Sequence, residues 1–237
     1  MWTWGRIRRV RQVLLFALFL ALMARRLPIV SLRKLPQQAR STNLVASILE
    51  AAIQVLEREG AQRFTTARVA ARAGVSVGSV YQYFPNKAAI LFRLQCDEWA
   101  QTTETLRRIL ENRRASPPQQ LRRAVHAFIR SECEEARLRL ALSDAAPMYR
   151  DAPQATTVRV SGYRALDAFV GRALPNASGS TRTMAADLIR TTLTSVGKQY
   201  SQRAKPTQSI DAFADALADM LCAYLQLLQR ERPTRSE

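Results

Sequence analysis

Residues 65–87 read TTARVAARAGVSVGSVYQYFPNK, and no other stretch constrains the fold so tightly. Thr65 or Thr66 can cap a helix start, and Gly74 stops that helix about two turns later. Ser76 opens a second short helix, which Pro85 closes. Two short helices joined at a glycine are the sequence form of a helix-turn-helix. Counting Thr66 as the first position of the unit, Ala70 is fifth, Gly74 ninth and Val80 fifteenth. Ala70 has to be small where the second helix crosses the first. Gly74 permits the left-handed backbone of the turn. Val80 packs the second helix back onto Val69 and Ala73.

The rest of the chain supports an all-α fold. In STNLVASILEAAIQVLEREG, Ile48, Ala52, Val55 and Leu56 fall on one helical face, with Ser41 or Thr42 as cap and Gly60 as stop. Asn86 caps a further helix that begins with Lys87 and carries Ile90, Leu91 and Leu94 on one side. Longer helical segments follow, broken at 116–118, 146–153, 175–180 and 205–206. The final one carries Ile210, Phe213, Ala214, Leu217, Leu221, Tyr224, Leu225 and Leu228 at helical spacing. No alternating apolar run of strand length competes with these helices.

The run FTTARVAARAGVSVGSVYQYFPNKAAIL resembles the DNA-binding domain of the TetR family of bacterial transcriptional regulators, with the close match covering residues 42 to 94. The resemblance implies an N-terminal three-helix helix-turn-helix domain over 41–94. A larger helical ligand-binding and dimerisation domain over 95–237 would follow, after an N-terminal extension at 1–40. It also implies base readers at Val77, Gly78, Ser79 and Gln82. Chemistry fits those roles: Gln82 can read adenine, Val77 can meet a thymine methyl, and Ser79 can bond a base or a phosphate. Gly78 lets the helix end approach closely. Thr65 and Thr66 at a helix start, Tyr81 and Tyr83, and Lys87 at the next helix start suit phosphate contacts. Phe84 is assigned to the core. Ala67 stands where some family members carry a basic reader, which leaves Arg68 or Arg40 to supply that charge.

The expected partners are a palindromic double-stranded operator, a second copy of the chain and a small, lipophilic effector. The dimer contact is expected on the last two helices, including Leu188, Leu193 and Val196. Candidate effector-pocket residues are Trp99, Phe128, Met148, Tyr149, Tyr163, Phe169 and Tyr200, each equally suited to plain core. The implied function is a cytoplasmic repressor released from its operator by ligand.

Charge is compatible with this, since 36 Lys and Arg against 19 Asp and Glu give +17. Three cysteines (Cys96, Cys133, Cys222) lie far apart without CxxC spacing, and His126 is the one histidine. No HExxH, GxSxG or GxxxxGK[ST] occurs, so neither enzyme, metal site nor cofactor is expected. Residues 1–26 pose a separate question. Arg6, Arg8, Arg9 and Arg11 precede an apolar run, Val13–Ala24, which is shorter than the roughly 20 residues a membrane span takes. The segment could be an export signal, a membrane-surface anchor, or upstream sequence from a start misplaced ahead of Met23. Removing residues 1–22 would take four arginines and no acid, leaving +13 of the +17. Two rival readings stand beside the regulator: a membrane-associated helical protein anchored by residues 1–26, and a basic protein that binds DNA without sequence preference.

Overall fold

The computed structural model describes residues 29–33, 39–149, 164–203 and 206–230. The expectations for residues 1–26, including the start at Met23, and for Tyr163 lie outside these residues. Among the described residues the regular structure is entirely helical. The α-helices are α1 (Ala39–Arg63), α2 (Thr66–Ala73), α3 (Val77–Tyr83), α4 (Lys87–Glu111), α5 (Pro117–Glu134), α6 (Ala136–Ala145), α7 (Arg164–Ala173), α8 (Gly179–Ser201) and α9 (Thr207–Arg230), with a 3-10 turn at Ala146–Met148.

Local chemistry sets most of the boundaries. α1 begins before Ser41 and Thr42, at Ala39, and breaks at Gly60, whose φ of 74° and ψ of 172° interrupt the helical backbone. Asn86 caps α4 by accepting from the Ala89 N–H at 2.9 Å. Ser116 and Gln119 form a reciprocal capping box at the start of α5, with prolines in its first turn. Ser178 caps α8 by accepting from the Thr181 N–H at 3.1 Å.

Two hydrophobic cores result. The first joins α1, α2, α3 and the beginning of α4 through Ile48, Leu56, Phe64, Val69, Val80, Phe84 and Ile90, all fully buried. It also takes in Val30, and Leu142, Ala145 and Tyr149 from α6 and the turn after it. The second core is built from the end of α4 with α5, α7, α8 and α9, around Leu121, Ile129, Phe169, Ile189 and Leu221. α5 lies at its centre, packed against α9, α8 and α4. α4 runs on past residue 94 through both cores, and α6 packs with the first.

Candidate nucleic-acid interface and interior cavity

The turn between α2 and α3 is built as its residues dictate. Thr65, with extended φ and ψ, accepts from the Arg68 N–H at 3.3 Å and caps α2. Gly74 ends it in the left-handed region, φ 68° and ψ 29°. The Val75 N–H then donates to the Ala70 carbonyl at 3.0 Å. Ser76 caps α3, accepting from the Ser79 N–H at 3.0 Å. Val80 seals one side of α3 into the core, and Phe84 follows it there.

The opposite side of α3 is open. Val77 and Tyr81 are 39% and 41% exposed, and Gly78 and Gln82 are exposed with them. These positions, i, i+1, i+4 and i+5, share one face of a helix. Thr65 is exposed, while Ser79 and Lys87 are half-buried. The Ser79 hydroxyl already pairs with that of Ser76 at 2.8 Å.

Two of the expected contact residues are buried. Tyr83 is 6% exposed and belongs to the first core, so its ring is packing material. The spacing explains this: two residues along a helix rotate the side chain by about 200°, which puts Tyr81 and Tyr83 on opposite faces. Thr66 is likewise buried, inside the first turn of α2 that Thr65 caps. Of the two arginines considered for the position near Ala67, Arg68 is held by Glu59 at 2.5 Å and by the Arg63 carbonyl at 3.0 Å. Arg40 is exposed near the start of α1.

A cavity of about 720 Å³ lies between α4, α5, α6 and α8. Its apolar lining includes Trp99, Leu106, Phe128, Leu140, Leu166, Leu193 and Ile210. Exposed Arg137, Lys198 and Arg203 also border it. Gly197 brings α8 close to α5, since a Cβ there would lie 2.9 Å from Phe128 Cε1 and 3.1 Å from Glu132 Cγ.

Trp99 and Phe128 line this cavity as expected, and the other described candidates do not. Tyr149 is buried in the first core, donating to the Leu142 carbonyl at 3.0 Å and to Gln95 Oε1 at 3.1 Å, and Met148 packs beside that core. Phe169 is second-core filling. Tyr200 stacks on Phe213 with ring centroids 3.8 Å apart. Aromatic type identified large side chains without fixing which way each points.

A charged cluster in the cavity wall was not visible in the sequence reading. Arg139 of α6 meets Glu98 of α4 at 2.9 Å, Glu132 of α5, and Glu135 at 3.2 Å. It also donates to Ser131 Oγ at 2.7 Å and Thr102 Oγ1 at 3.0 Å. Burial pushes the Glu98 and Glu132 carboxyls above the usual carboxylate range, and Arg139 pulls both the other way. The available hint was an acid on each apolar stripe, Glu98 beside Leu94 and Glu132 beside Phe128 and Ile129. Burial first, then Asp97, pushes the Cys96 thiol up to about 11, which disfavours the reactive thiolate there. Among the described residues no three His, Cys, Asp or Glu side chains cluster to hold a metal, and no helix is long and apolar enough to cross a membrane.

On the outer surface, Met184 and Leu188 of α8 and Met220 and Leu227 of α9 are exposed. Of the three α8 residues expected at a dimer contact, Leu188 faces outward, whereas Leu193 is buried and Val196 packs on the second core.

Comparison with known proteins bears on both halves of the chain. The family model "Bacterial regulatory proteins, tetR family" matches residues 48–94, and "Tetracyclin repressor-like, C-terminal domain" matches residues 116–228. The nucleoid occlusion factor SlmA of Photobacterium profundum is 48% identical over 50 residues, 21% of this chain and 26% of that protein. SlmA of Vibrio campbellii is 47% identical over 51 residues, again 21% and 26%. The chain thus spans about a quarter of the length of these curated relatives. Among solved structures, the fatty acid degradation regulator FadR from Bacillus halodurans has a TM-score of 0.61 at 18% identity, covering 79% of this chain and 97% of that one. FadR from Bacillus subtilis in complex with stearoyl-CoA has 0.61 at 17%, covering 75% and 97%. These similarities are of fold.

Proposed function

The chain belongs to the tetR family of bacterial regulatory proteins and is a DNA-binding transcriptional regulator, and on that premise we propose a cytoplasmic repressor that holds a palindromic operator as a homodimer and is released by a lipophilic ligand. The observation that carries the DNA reading is the exposed face of α3. Its free residues, Val77, Gly78, Tyr81 and Gln82, lie on one side of a helix whose other side is sealed into a core. Gln82 and Val77 supply base contacts, while Thr65, Tyr81 and Lys87 supply phosphate contacts. Tyr83 and Thr66 support these from the core. A two-fold pair of such helices meets half-sites about 34–36 Å apart. The exposed apolar side chains of α8 and α9 suit the contact that sets this spacing.

The ligand reading rests on the cavity. A ligand there touches α4, α5, α6 and α8, and α6 packs on α1 of the first core. A ligand that binds better to an arrangement with mismatched α3 spacing shifts the population away from the DNA-bound form. Such a fold accommodates an acyl chain in FadR of Bacillus subtilis, which carries stearoyl-CoA.

The test is selection of duplexes by the full chain from a random-sequence library, followed by titration of the enriched duplex at two salt concentrations. The expected result is enrichment of a two-fold site. Gln82→Ala should weaken that site by roughly 1–3 kcal/mol while sparing unrelated DNA. Failure to enrich any sequence, with binding that collapses uniformly as salt rises, would identify a non-specific basic binder instead. Challenging the enriched complex with long-chain acyl compounds tests release. Operator affinity unchanged across all of them would remove the ligand from the account and leave the DNA reading in place.

A further inference from the structure

We infer that Arg33, in the segment before α1, is a further DNA-contacting residue, delivered to the phosphate backbone beside Tyr81 by an arm that is part of the reading head; this rests on the assignment of α3 to the DNA groove. Residues 29–33 lie outside both matched family domains, the first of which begins at residue 48. The segment is nevertheless fastened at three points to the α3–α4 corner. The Asn86 side-chain amide, while its oxygen caps α4, donates to the Ile29 carbonyl at 3.0 Å. Val30 is 4% exposed, inserted into the first core. The Arg33 N–H donates to the Tyr83 carbonyl at 2.8 Å, occupying an acceptor at the end of α3.

This anchoring fixes where the Arg33 side chain begins. The guanidinium lies 3.5 Å from the Tyr81 carbonyl, at the outer limit of a hydrogen bond, and the residue is exposed. A guanidinium has five N–H donors in a planar fork suited to a phosphate, and this one long contact engages few of them. Tyr81, directly beside it, is the most exposed aromatic of the α3 face. Lys87, at the start of α4, adds a second cation to the α3–α4 corner on which the arm is fastened. The arm is suited to a polyanion by sequence, with Arg25, Arg26, Arg33, Lys34 and Arg40 and no acid from Met23 to Arg40.

A competing role for Arg33 is a purely internal one, its charge neutralising the C-terminal end of α3. Salt dependence separates the two. The full chain, Arg33→Ala and Arg33→Lys are titrated with the enriched duplex and with a random-sequence duplex over a range of salt, with melting temperatures measured alongside. A phosphate contact predicts that Arg33→Ala loses affinity on both duplexes and flattens the slope of log K against log salt by about 0.9. Arg33→Lys should restore most of that slope. The Arg33 N–H to Tyr83 bond survives both substitutions, so melting should change little. An unchanged slope in Arg33→Ala overturns the inference, and an affinity loss without a slope change assigns Arg33 to the helix end. If the full chain binds both duplexes equally, sequence reading fails, while the slope still decides the role of Arg33. Absence of any DNA binding overturns both.

Discussion

The cluster around Arg139 yields a prediction whose size and pH dependence both follow from geometry. The Arg139 side chain is 14% exposed, and its partners Glu98 and Glu132 are 7% and 11% exposed. Arg139→Leu removes the cation and leaves two buried carboxylates facing each other across the α4–α5–α6 junction. Removing one partner of a buried ion pair costs about 3–5 kcal/mol, a large part of the 5–15 kcal/mol that stabilises a typical domain. For a chain of this length that is a fall of about 6–20 °C in melting temperature. The sign of the pH dependence is fixed by burial, which already holds Glu98 and Glu132 above the usual carboxylate range against the pull of Arg139. A carboxyl raised in the folded state contributes fully below its unfolded pKa, and that contribution is lost as pH rises through the folded value. Without Arg139 both carboxyls rise further and the loss extends to higher pH. Urea unfolding at fixed protein concentration should therefore show a smaller deficit at a pH within the usual carboxylate range than at a pH well above it. Adding Glu98→Gln and Glu132→Gln should recover most of it. Equal deficits at the two pH values, or one below about 1 kcal/mol at the higher, would refute the claim that Arg139 compensates buried charge.

Two further substitutions probe the turn and the outer face. Gly74→Ala meets no atom within 4 Å of the new Cβ, so its cost is the backbone strain of φ 68° alone, roughly 1–2 kcal/mol. Circular-dichroism melting should fall by a few degrees, and a variant as stable as the parent would mean that the turn relaxes freely. Leu188→Glu with Leu227→Glu places charges on the exposed faces of α8 and α9, and sedimentation should show monomers with weakened operator binding. A dimer that persists unchanged would move the contact to another surface.

The reading head was legible because its determinants are local. Thr65, Gly74, Ser76, Asn86 and Pro85 each act through their own backbone or within three residues, and the structure uses the first four as the caps and turn that their chemistry favours. Periodicity likewise placed Ile48, Ala52, Val55 and Leu56 in the core. Where the reading relied on residue type alone it went astray. Tyrosine is a good phosphate ligand, but Tyr83 lies on the core side of α3, away from the exposed face that carries Tyr81. Aromatic size made Tyr149 and Phe169 candidates for a cavity wall, yet size fills a core equally well. The Arg139 cluster depends on three helices meeting, which no single segment encodes.

The same reasoning explains why residue 94 marks a boundary in the sequence while helix and packing extend across it. The family resemblance ends there, and α4 continues without a break, so the covalent chain offers one obvious cut. The packing follows apolar faces instead, and the face of α6 carrying Leu142 and Ala145 is complementary to the first core. Arg139, on the flank of that face, and Leu140, opposite it, lie in the cavity wall. One helix of ten residues thus packs into the first core and also forms part of the cavity wall. From there the contacts run from α6 to α1, from α1 to α2, and from α2 to α3. A ligand that displaced Arg139 or Leu140 would press on α1 through α6, while α4, which also lines the cavity and shares the first core, offers a second route; along the first route α1 and α6 would shift together. Their shared packing makes a joint shift less costly than exposing Leu142 and Ala145 by separating them.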